Sequence, residues 1–72
     1  MCLLKVYIED ARTGEKTFVS GNAALISADG EALRIIDVEG AEKIISGVDF
    51  LMIDALKSTI VLRVKGLSKT ES

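Results

Sequence analysis

A chain of 72 residues with one cysteine forms at most one small domain and excludes an internal disulfide, leaving self-association or a metal as the expected staple. An apolar fraction of 49% excludes a disordered chain, and no apolar run reaches the 18 or so residues of a membrane helix. A net charge of −2, basic residues scattered along the chain, and Tyr7, Phe18 and Phe50 as the whole aromatic set argue against a nucleic-acid surface.

Apolar residues alternate with a period of two, the spacing of strands with one buried face. In the first segment Cys2, Leu4, Val6 and Ile8 share one face, and Leu3, Lys5, Tyr7 and Glu9 share the other. Lys5 follows Cys2-Leu3-Leu4 directly and leaves no room for a signal-peptide core, so the expected location is the cytoplasm. Asp10 to Lys16 predicts a turn through Gly14. Thr17 to Ser20 forms a second short strand, Gly21-Asn22 a turn, and Ala23 to Ala28 a third strand with Leu25 and Ile26 on opposite faces. Asp29-Gly30 is a strong hairpin signal, because both residues tolerate positive φ, and Glu31 to Val38 pairs back across it.

Glu39-Gly40 ends that strand, and Ala41 to Ser46 reads as strand, with one helical turn as the alternative. Val48 to Asp54 and Ser58 to Val64 form the last hairpin, joined by Ala55-Leu56-Lys57. Six or seven strands of about four to eight residues predict an all-β fold, a small SH3-like barrel of short antiparallel strands. It occupies residues 1–66 as a single domain, followed by a flexible tail at 67–72.

The chain has no histidine, which removes cysteine–histidine and serine–histidine catalysis together with the commonest metal ligand. Glu9, Asp10, Asp29, Glu31, Asp49 and Asp54 read as solvated faces and turn formers. Glycines 14, 21, 30, 40, 47 and 66 fall one per turn instead of clustering as a phosphate cradle. No enzyme is expected.

Cys2 stands apart because it lies at the terminus. As a small apolar side chain it could simply close the end of the barrel. Removal of Met1 instead gives Cys2 a free amine beside its thiol, and the two close a five-membered chelate around a metal, with the Leu3 amide nitrogen as a further donor. Such sulfur and nitrogen sets suit nickel or copper in the divalent state, whereas zinc prefers a tetrahedron with more thiolates or imidazoles. Position 3 is Leu and not His, so one chain holds half a site, and two chains related by a two-fold axis supply one metal site per homodimer. A retained Met1 turns the amine into an amide and leaves the thiolates alone.

The opening Met1-Cys2-Leu3-Leu4-Lys5-Val6-Tyr7 resembles the start of the CooT family, which begins with Met-Cys and an apolar strand of Lys-Val-Tyr type. The resemblance implies a nickel-binding accessory protein, an SH3-like homodimer with Cys2 as metal ligand, linked to carbon monoxide dehydrogenase maturation. Copper and zinc are the competing metals. Related sequences also carry a predicted RNA-binding label, the alternative reading, which the acidic balance here does not favour.

Overall fold

The computed structural model describes residues 3–30 and 32–65. They form β1 (Leu4–Asp10), β2 (Lys16–Asp29), β3 (Ala32–Asp37), β4 (Glu42–Ile45), β5 (Val48–Asp54) and β6 (Thr59–Val64), with no helix among the described residues. All six belong to one sheet in the order β4-β3-β2-β1-β6-β5. The all-β expectation holds, as do a strand after Gly40 and a turn through Gly14, whose φ is 78°. The expected tail at 67–72 lies outside the described residues.

Three expectations are corrected. Gly21-Asn22 does not turn the chain, because β2 runs unbroken through it for 14 residues. Its pairing with β1 steps from Leu4↔Ala23 to Val6↔Ser20 to Tyr7↔Phe18, and its pairing with β3 steps from Ala23↔Asp37 to Leu25↔Ile36. Each step places one extra residue on β2, so this strand absorbs three bulged residues and bends. Polar side chains and a glycine settle the bend locally. The Asn22 amide donates to Ser20 Oγ at 3.3 Å, and a Cβ on Gly21 would sit 3.2 Å from the Phe18 ring. Polar, glycine-containing sequence thus marks a bulge here and not a chain reversal.

The second correction concerns direction. β1 and β6 pair in parallel, from Lys5↔Thr59 to Asp10↔Val64, so the sheet is not purely antiparallel. A parallel pair needs a long crossover, and the whole run from β2 to β5 supplies it in place of a helix. The third is a one-residue offset. Asp29 is the last residue of β2 and pairs with Ala32, which leaves Gly30, at φ 67°, in the first loop position.

β2 is shared, its first half pairing with β1 and its second half with β3, so the bend folds one part of the sheet over the other. The core lies between them, with Val6, Ile60 and Leu62 facing Leu33 and Ile35, and Ala23 at the bend. The edge strands β4 and β5 stand at opposite ends of the order, yet only Ser46-Gly47 joins them. Three residue steps reach about 10 Å at most, so the sheet curls until its edges approach, and Ile45 and Val48 pack on the same core. No β4–β5 ladder forms among the described residues, and the sheet stays open along that seam.

At the far end of β1, Asp10 is 9% exposed and its Oδ1 accepts the Arg12 amide at 2.8 Å, while its backbone binds Gly14 and Glu15. Replacing Asp10 with Ala should cost about 1–2 kcal/mol, and Asp10→Asn, which keeps an acceptor, distinctly less. Urea unfolding of the two variants checks this, and equal losses would assign the cost to charge and not to the turn.

Candidate metal site at the start of the first strand

Cys2, the predicted ligand, lies outside the described residues, whose first member is the half-buried Leu3. What the fold fixes is the position from which β1 begins. Leu4 stands opposite Ala23, and the Lys5 amide donates to the Ser58 carbonyl at 2.9 Å. On the other side of β2, the Val38 amide donates to the Asn22 carbonyl at 3.2 Å. The start of β1, the β5–β6 turn and the β3–β4 turn therefore share one end of the sheet.

The carboxylates at this end are engaged in shaping turns. Asp37 Oδ1 accepts the amides of Glu39 and Ala41 at 2.9 and 3.0 Å, and Asp54 Oδ1 accepts the Lys57 amide at 3.2 Å. Ser58 closes the β5–β6 turn at a φ of 50°, a conformation that non-glycine residues adopt at a cost. Among the described residues, no three potential metal-ligating side chains come together.

The remaining predicted acids follow the same pattern. Asp10 caps its turn, and Asp49 faces the Arg63 guanidinium at 3.4 Å. The side chains of Asp29 and Glu31 lie outside the described set. All three arginines stand beside carboxylates, Arg12 at Asp10, Arg34 at Glu42 and Arg63 at Asp49, and Arg63 also lies 4.7 Å above the Phe50 ring. Tyr7 and Phe18 meet edge to face, with ring centroids 5.6 Å apart. Each guanidinium thus lies beside a carboxylate, while Phe18 and Phe50 remain 58% and 46% exposed.

Two surface features escape a reading of the sequence. A cleft of about 300 Å³ opens along the seam, between the β2–β3 hairpin and the start of β5, lined by Ala28, Ala32, Leu33 and Val48 among others. Beside it the edge strand β5 exposes Phe50, Leu51, Met52 and Ile53, each by more than 40%, and Leu56 in the following turn is 99% exposed. The sequence signal for this was the absence of alternation in Phe50-Leu51-Met52-Ile53, four apolar residues in succession. No family model matches the chain, and no curated protein matches it in sequence.

Proposed function

We propose that this protein is a small nickel-binding accessory protein of CooT type, holding Ni(II) through Cys2 thiolates that two chains share across a two-fold axis. The observation that carries this reading is a cysteine two residues ahead of β1 in a chain without histidine. Support comes also from the turn-capping duties of Asp37 and Asp54, which leave sulfur as the strongest donor at that end. In this reading the curled sheet acts as a small SH3-like barrel, a rigid frame that presents the terminus and performs no catalysis. The metal is cargo, destined for a nickel enzyme such as carbon monoxide dehydrogenase. Copper and zinc compete for the same thiolates, and their cellular availability decides occupancy. The alternative, an RNA-binding barrel, draws no support from arginines already paired with acids.

Calorimetric titration of reduced protein with nickel should give one ion per two chains and a thiolate-to-nickel charge-transfer band. Cys2→Ala should lose both. Equal binding by the two proteins, or none by either at micromolar nickel, would sink the proposal.

A further inference from the structure

We infer that the outer face of the sheet, where β1, β6 and β5 run side by side, binds a small organic monocarboxylate, its apolar body lying on the strands and its charge held by Lys16 and Lys57. A cavity of about 190 Å³ opens on this face, on the side of the three strands turned away from the core. Its floor is a row of three side chains. Tyr7 stands beside Val61 in the parallel pair and Val61 beside Met52 in the antiparallel one, so adjacent strands set all three on one face. Val61 is only 5% exposed although it lies outside the core cluster. A recessed apolar floor with a few polar groups around it is the ordinary make-up of a small-molecule site.

The rim is charged. Lys16 at the start of β2 and Lys57 in the β5–β6 turn both line the cavity. Ion pairs among the described residues all belong to arginines, and the Lys43 ammonium donates to the Val19 carbonyl. Lys16 and Lys57 have no such partner among the described residues, and even Glu9, opposite Lys16 in the register, forms no ion pair with it. The backbone of Lys57 is held from both sides by residues of the same cavity. Asp54 Oδ1 accepts its amide at 3.2 Å, and Thr59 Oγ donates to its carbonyl at 2.9 Å. The turn thus fixes where the Lys57 side chain leaves the backbone before a ligand arrives, and such preorganisation lowers the cost of binding.

Charge and volume select the ligand. Two ammonium groups and the Asp54 carboxylate leave one net positive charge at the cavity, which a single carboxylate neutralises. A phosphate monoester, with nearly two negative charges, exceeds that balance and meets Asp54. A bare inorganic anion leaves the floor uncovered. The volume falls below the roughly 300–1,000 Å³ of sites for drug-sized ligands, so the body is one ring or a short branched chain. No metal and no second chain enter this site, which goes beyond the nickel reading.

Nuclear magnetic resonance titration of metal-free protein with benzoate tests the inference. Amide signals of Tyr7, Lys57, Thr59 and Val61 should shift saturably, with half-saturation near ~1 mM. Benzamide, the neutral isostere, should need at least about fivefold more. Lys16→Gln and Lys57→Gln, both at exposed positions, should each weaken benzoate about two- to fivefold. Asp54→Asn keeps an acceptor for the Lys57 amide and removes the opposing charge, so benzoate should bind about twofold tighter. No saturable shift up to about 20 mM benzoate, equal binding of benzamide, equal binding of inorganic phosphate, or lysine variants that bind like wild type would overturn the proposal. Tighter binding by Asp54→Asn cannot come from a damaged fold, so that variant decides the matter even if a lysine variant is destabilised. With no metal present, none of these outcomes bears on nickel, which the Cys2→Ala titration tests separately.

Discussion

Replacing Leu62 with Ala should lower the urea midpoint of unfolding sharply. Leu62 is completely buried, stands between Ile8 of β1 and Leu51 of β5, and belongs to the one cluster that joins both parts of the curled sheet. Truncating a buried leucine removes the transfer free energy of its methyl groups and leaves a cavity, together about 3–5 kcal/mol. A domain of this size has a total stability of roughly 4–11 kcal/mol, and only nine hydrophobic side chains are buried among the described residues. One position therefore carries a large share. Leu51→Ala makes the control, because Leu51 is 46% exposed in a single chain and should cost far less. Urea midpoints measured at one fixed protein concentration compare the two, since association adds concentration-dependent stability. Equal midpoints would mean that the core does not lie where the sheet folds over itself.

Blocking the terminal amine should separate the two donors of Cys2. With Met1 removed, thiolate and amine should both bind nickel. With Met1 retained, or with the Cys2 amine acetylated, the chelate opens and affinity should fall at least ~10-fold, about 1.4 kcal/mol, while the sulfur-to-nickel absorption persists. Cys2→Ser should abolish that absorption. Unperturbed thiols and α-amines titrate near 8.5 and 7.7–8.0, and only their deprotonated forms bind metal, so affinity should fall as pH drops below these values and binding should release protons. Competition against a coloured chelator, with proton release followed in weak buffer, measures all three effects. An affinity indifferent to the state of the amine would restrict the site to thiolates and backbone.

Local physical chemistry made several features legible before any fold was known. Alternation of Leu4, Val6 and Ile8 against Lys5, Tyr7 and Glu9 fixed the faces of β1, and Gly14 and Gly30 supplied positive φ near the expected reversals. Gly21-Asn22 misled because a bulge and a turn draw on the same residues. Both need a small or polar side chain at an irregular backbone, and only the partners on either side distinguish them. β2 had two such partners, and bent to serve both.

Much the same limit applied to the last hairpin. Val48–Asp54 and Thr59–Val64 both contain unbroken apolar runs, the pattern of a strand covered on two faces. Only the second is. β6 lies between β1 and β5 and buries Ile60, Val61 and Leu62, whereas β5 is an edge that leaves Phe50 to Ile53 exposed.

The chain's order of residues by itself established strand faces, reversals, the want of histidine and the isolation of Cys2, because each depends on chemistry within a few neighbours. Tertiary structure alone decided which strand is central, that β1 and β6 run in parallel, and that one apolar edge lies open. Those outcomes depend on contacts between segments more than 40 residues apart, about which local periodicity carries no information.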